Sequence, residues 1–314
     1  MASLHRCWPQ TSCRRWKIMP PEPVLIVGAG PAGIAAAIQL QRSGIPHLLF
    51  EEERVGGLLW NANLVENYPG FPAGIGGPRL AGLFEKQLRR SGVRVTFERV
   101  EQVRVQDGEL RVEAGGAAYR PRFLVVASGT KPRPLPPGLP AAPGDRILSE
   151  VYPLLGVNGR QVVIVGAGDA AFDYALNLAK NNTVTILHRG GETGCLPLLH
   201  ERAGHSATIA LHVDTSVRRV EVQGAAGRLR IECERDGERF FLESDHLVYA
   251  IGREPQLDFL PGGIGTGCQR LVSSGRLHFV GDVTNGLYRQ TAIAVGDGLR
   301  AAMRIYHQIS RGEG

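Results

Sequence analysis

The sequence predicts an α/β protein of two three-layer domains, the second inserted into the first. Three observations carry that prediction. A short apolar strand, a glycine elbow and a helix of small residues occur twice: Val24-Leu25-Ile26-Val27 enters Gly28-Ala29-Gly30-Pro31-Ala32-Gly33, and Val162-Val163-Ile164-Val165 enters Gly166-Ala167-Gly168-Asp169-Ala170-Ala171. Each copy closes on a strand that runs into glycine, at Ser128-Gly129 and Ile251-Gly252. A last strand and helix follow the second copy, so one plan is used twice with the second copy inside the first. A length of 314 residues is enough for two domains with separate cores.

The elements follow in order. Residues 1–18 show no strand or helix pattern and read as a disordered tail, or as a start assigned too early with Met19 the natural beginning. Arg14-Arg15 is not followed by the apolar stretch of a secretory signal. The first helix runs from about Gly33 to Ser43, and His47-Leu48-Leu49-Phe50 forms the next strand, ending on Glu51. Pro78 opens a helix ending near Arg90, with leucines and Phe84 along one face. Strands and a hairpin fill 93–126, and the proline-rich stretch 131–140 is linker chemistry. The second helix spans Asp169 to Lys180, its next strand Thr183 to Leu187, and strand-like segments follow at 217–222, 228–233 and 239–242. Leu277 to Asp282 and a helix from about Arg289 to Ile309 return to the first plan. The expected domains are therefore 19–132 with 253–314, and 133–252.

Composition narrows the function classes. The net charge is +6, but four of the 36 basic residues lie in the first eighteen, leaving 32 against 30 acids. That near-neutral body gives no support to a nucleic-acid partner. No apolar run is long enough to span a bilayer. The five cysteines, Cys7, Cys13, Cys195, Cys233 and Cys268, form no Cys-x-x-Cys pair, which suggests a reducing, cytoplasmic setting without a disulfide framework.

The elbows are dinucleotide fingerprints. The first glycine allows the tight turn, the second lets a pyrophosphate approach the backbone, and the third position lets helix and strand pack closely. Gly28, Gly30, Pro31, Ala32 and Gly33 form one such cradle, and Gly166, Gly168, Asp169, Ala170 and Ala171 the other. Two cradles point to two nucleotides between which electrons pass. At the end of the following strand the first copy carries Glu51 and the second His188-Arg189. An acid suits the free ribose hydroxyl of FAD, while a base suits the 2′-phosphate of NADPH. The sequence thus assigns FAD to the first site and prefers NADPH at the second, with NADH possible because Gly190-Gly191 supplies no further base. Glu51 also reads as part of the solvated run Glu51-Glu52-Glu53.

With these motifs and Val65-Glu66-Asn67-Tyr68-Pro69-Gly70, Tyr249-Ala250-Ile251-Gly252, Gly281-Asp282-Val283 and Tyr288-Arg289-Gln290-Thr291-Ala292, the chain resembles the thioredoxin reductase-like branch of the FAD-dependent pyridine nucleotide–disulfide oxidoreductases. The resemblance implies that Gly57, Leu58 and Asn67 lie along the flavin, that Asp282 bonds the ribitol, and that Gln290 and Thr291 sit near the isoalloxazine. Gly129 and Gly281 join the same cofactor set, and Arg189 takes the phosphate. A homodimer is implied as well. Two departures stand out. The family's redox Cys-x-x-Cys falls at Ser149-Glu150-Val151-Tyr152 here, and without a thiolate no exchange with a protein disulfide follows. Glycines also replace the family's further arginines after Arg189. The segment from Gly168 to Leu178 is similar to the thioredoxin reductase-like ferredoxin–NADP reductases, which also lack the dithiol.

The expected function is a FAD-dependent NAD(P)H oxidoreductase whose acceptor is a ferredoxin- or flavodoxin-type carrier or a small molecule. Positioning, rather than an acid–base dyad, is the protein's share, so no catalytic side chain and no metal ligand is assigned. Two alternatives stay open: a disulfide reductase using other cysteines, and a flavin-binding redox sensor or partner subunit.

Overall fold

The computed structural model describes residues 17–18, 23–106, 108–135, 146–224, 227–260 and 266–312. Cys7, Cys13 and Met19 lie outside the described residues. Two five-stranded parallel sheets form the frame. The first has the order Leu277–Phe279, Phe123–Val126, Val24–Val27, His47–Glu51, Val95–Phe97. The second runs Ile147–Leu148, His246–Tyr249, Gln161–Val165, Thr183–Leu187, Ile209–His212. Both orders place the elbow strand at the centre, between the closing strand and the strand after the elbow helix. Val24 sits opposite His47 and Phe123, and Val162 opposite Val184 and His246. The central strands are buried along most of their length, which is why they read as continuous apolar runs rather than alternations.

Each sheet is one layer of three. In the first domain, α1 (Pro31–Arg42) and α6 (Thr291–Ser310) cover one face, with Ile34, Leu40, Ala302 and Ile305 in the core, joined there by Leu88 of α2 (Gly77–Arg90). They approach closely because Gly298 has no side chain: a Cβ there would stand 2.0 Å from the Ala32 carbonyl oxygen. An antiparallel sheet built from Val100–Gln106, Glu109–Ala114 and Ala117–Tyr119 covers the other face, together with α5 (Thr266–Ser273). The second domain repeats this with α3 (Asp169–Leu178) on one face and the antiparallel sheet Thr215–Gln223, Arg228–Arg235, Glu238–Ser244 on the other. The outgoing and returning chains pair antiparallel between the domains, Arg253 opposite Pro132.

Several local features depart from the sequence reading, among them the edge strand Ile209–His212, which is not expected. Lys17–Ile18 pair in parallel with Ala117–Ala118, although no strand is expected before Met19; two residues on a sheet edge leave no periodic pattern. The helices α4 (Pro197–Gly204) and α5 are also unforeseen, each only eight residues long. The last helix begins two residues later than expected, at Thr291. Among the described residues no helix is long and apolar enough to cross a membrane.

Candidate cofactor cleft

The two elbows share a backbone hydrogen bond. Gly28 N–H donates to the Phe50 carbonyl at 2.8 Å, and Gly166 N–H donates to the Leu187 carbonyl at 3.0 Å. Both glycines have positive φ, +99° and +142°. A Cβ would meet the Ala127 oxygen at 2.5 Å in the first elbow and the Ala250 oxygen at 2.3 Å in the second. These are the same place in the two plans, one residue past the closing strand, so neither elbow tolerates a side chain. Gly30 and Gly168 behave differently. A Cβ there meets nothing within 4 Å, so each faces open space in front of a helix N-terminus. That is a cradle a pyrophosphate fits. Gly33 serves packing, since a Cβ would lie 1.8 Å from the Gly28 oxygen, and Ala171 is wholly buried at the corresponding place.

One cleft of about 800 Å³ opens in front of both domains. Gly28, Gly30, Pro31, Ala32, Glu51, Gly57, Leu58, Asn67, Gly129, Asp282, Gln290 and Thr291 line it from the first domain, and Asp169 and Ala170 from the second. Glu51 holds the elbow itself: its carboxylate accepts the Ala29 N–H at 2.7 Å and the Glu53 N–H at 3.0 Å. Asn67 donates to the Gln290 side chain at 2.8 Å, joining two residues 223 positions apart. Asp282 lies deep in the cleft, and burial pushes its carboxyl up while Arg289 and Arg253 oppose that rise. Gln256 Oε1 and Arg289 Nε, on cleft-lining residues, are buried without a partner among the described residues. An acceptor and a donor left open in this way fit a polar cofactor.

Gly33, Gly281, Gly166, Gly168, Ala171, His188 and Arg189 are not in the cleft wall. Gly281 packs instead, a Cβ there standing 2.9 Å from the Ala32 methyl. His188 and Arg189 follow Thr183–Leu187 at the outer end of the second site. The His188 ring is half-buried and its Nε2–H donates to the Glu192 carbonyl at 2.7 Å, an arrangement that Gly190 leaves room for. Arg189 is exposed and has no ion pair among the described residues. It is the basic side chain there that is free to reach an anion.

Four residues central to the cleft carry no sequence signal. Asn61 is 2% exposed; its Oδ1 accepts the Val151 N–H at 3.0 Å and the Tyr152 N–H at 2.9 Å, and its Nδ2 donates to Glu150 at 3.0 Å. Glu150 in turn pairs with Arg253 at 3.1 Å. The Asp173 carboxylate accepts the Asn63 N–H at 2.8 Å, and burial pushes it up to about 6. The segment 149–152, where a redox dithiol is absent, is thus a packed joint: Val151 is fully buried and Tyr152 lies edge-on to Trp60 with Arg54 stacked on it. None of the described cysteines lines the cleft. Cys233 and Cys268 are buried in the two cores, and burial pushes the Cys233 thiol up to about 11, away from thiolate chemistry. Cys195 is half-buried.

Comparison with known proteins gives the family. Residues 22–298 match the family described as pyridine nucleotide-disulphide oxidoreductase. A thioredoxin reductase of Mycolicibacterium smegmatis is 29% identical over 301 residues, covering 89% of this chain and 94% of that protein. One from Streptomyces coelicolor is 31% identical over 298 residues, covering 89% and 91%. The crystal structure of Lactococcus lactis thioredoxin reductase superposes with a TM-score of 0.79 at 24% identity, covering 92% of this chain and 99% of that one, which shows the shared fold. The chain belongs to the pyridine nucleotide-disulphide oxidoreductases, in their thioredoxin reductase-like branch of enzymes that use FAD and NADPH.

Proposed function

We propose that this protein is a FAD-dependent NAD(P)H oxidoreductase that passes electrons to a small redox protein or a small molecule without a redox dithiol. One observation carries the reading: residues of both elbows line one cleft, and no described cysteine does. When bound, the nicotinamide supplies a hydride and the flavin accepts it. The chain's own share is positioning. Gly30 and Gly168 leave the helix N-termini open to phosphate, Glu51 stands at the elbow within reach of a ribose hydroxyl, and Asn67 with Gln290 fixes the far wall. Asp282, half-buried and within the field of Arg289 and Arg253, is an acceptor for a ribitol hydroxyl. Arg189 is the group for the 2′-phosphate. In this reading the enzyme acts as a homodimer in the cytoplasm.

The packed joint at 149–152 supports the dithiol-free route, because Asn61 and Arg253 hold the place where exchange chemistry would need a mobile thiol. The test is anaerobic mixing of the yellow holoprotein with NADPH and with NADH, followed by a panel of acceptors and a model disulfide. Rapid flavin bleaching with turnover on a carrier or small molecule, and none on the disulfide, is the expected result. Dithiol-dependent disulfide reduction would overturn it, and flavin that neither nucleotide reduces would favour a sensor.

A further inference from the structure

Asp173 lies on α3, about one turn into the helix that starts at the second elbow, and reaches across to the loop after the 3-10 turn Gly57–Asn61 of the other domain. Its carboxylate accepts the backbone N–H of Asn63 at 2.8 Å and is also bonded by the backbone of Leu64. Three other contacts join the same surfaces, and exposure separates them by strength. Arg202 pairs with Glu66 and Lys180 donates to the Asn63 side chain, but these groups are exposed, with Arg202 and Glu66 at 38% and 41%. Such pairs contribute little. Asn61 holds segment 149–152, which precedes the second elbow's strand and does not touch α3's acid. Asp173 is half-buried, and it is the more shielded contact made by the elbow helix itself.

We propose that Asp173 is a positioning residue that sets the second elbow helix against the flavin-side loop and so brings the two nucleotide sites onto one cleft, a proposal that rests on hydride transfer across that cleft. The charged and titratable groups facing it are Asp169 and Tyr174 on its own helix, Lys180 just beyond the helix end, and Glu66 paired with Arg202 from the opposing loop and α4. Asp169 is itself held by the Leu196 N–H at 2.7 Å. The direction of the pH effect follows from linkage. With the domains closed the carboxyl titrates near 6, against 3.8 in water. The closed arrangement therefore binds the proton more tightly than an open one, and closure strengthens as pH falls through 6, by up to roughly a hundredfold. The hydrogen bonds need an acceptor oxygen, not a charge.

The experiment is amide exchange at residues 63 and 64 in the FAD-loaded protein without nicotinamide, beside flavin reduction at saturating NADPH. In Asp173→Ala the protection factors at 63 and 64 fall at least about tenfold, because two N–H groups lose their acceptor. The reduction rate falls with them. In Asp173→Asn protection at pH 7.5 equals or exceeds that of the wild type, and its rise towards pH 5 disappears. Wild-type protection in the Ala variant overturns the proposal. Because exchange is read without nicotinamide, failure of the clasp and failure of hydride transfer are separate results.

Discussion

Replacing Asn61 by alanine breaks the joint at the centre of the molecule. Asn61 is 2% exposed and makes three hydrogen bonds at 2.9–3.0 Å, all to residues 89 to 91 positions away. Alanine removes the acceptor shared by the Val151 and Tyr152 N–H groups. A buried donor left without a partner costs about 1–3 kcal/mol. Val151 is fully buried and takes the upper part of that range, whereas Tyr152 is half-buried and finds water. Glu150 loses one donor but keeps Arg253 at 3.1 Å. The sum is about 2–4 kcal/mol of destabilisation. Asn61→Asp keeps the acceptor yet sets a carboxylate against Glu150, so it is destabilised at neutral pH and recovers as pH falls through the carboxylate range. Urea unfolding followed by flavin fluorescence and circular dichroism measures both variants. An alanine variant within 0.5 kcal/mol of wild type would refute the reasoning, because the three bonds would then be replaceable by water.

Three further outcomes follow from single side chains. Arg189→Ala lowers the ratio of NADPH to NADH efficiency about three- to tenfold, since one exposed arginine on a phosphate contributes about 1 kcal/mol; an unchanged ratio removes Arg189 from the 2′-phosphate site. Glu51→Ala frees the Ala29 N–H and loses the ribose acceptor, so FAD affinity drops at least about tenfold and the protein emerges colourless from gel filtration. Retained colour would make Glu51 a member of a solvated run. Cys195→Ser leaves turnover within about twofold, as the thiol stands outside the cleft, packs at the edge of the second domain's core and bonds the Thr193 hydroxyl. Loss of turnover would return the thiol route to consideration.

What was legible in the sequence is what local geometry demands. Gly28 and Gly166 are readable because a side chain there collides with a carbonyl oxygen, and Glu51 because a strand of fixed length delivers it to the elbow. The flavin-side set, from Gly57 to Thr291, came through resemblance and largely meets in one cleft. Asn61, Glu150, Asp173 and Arg253 stayed hidden because their partners lie 89 to 110 residues away or are backbone groups, and neither leaves a pattern. His188 reads as a second base beside the phosphate, yet its Nε2–H is taken up by the Glu192 carbonyl, with only Gly190 leaving the ring its space. The short strand at Lys17–Ile18 exists because an edge strand offers unpaired backbone, a fact about the sheet and not about those two residues.

In the function proposed, electrons cross this protein through two nucleotides and no protein dithiol. Anaerobic titration of the FAD-loaded protein with dithionite counts the electrons taken up per flavin. Complete bleaching after one two-electron equivalent, with no further uptake and no new thiol detectable afterwards, is the predicted result. Uptake of a second two-electron equivalent per flavin, accompanied by two new thiols, would contradict it.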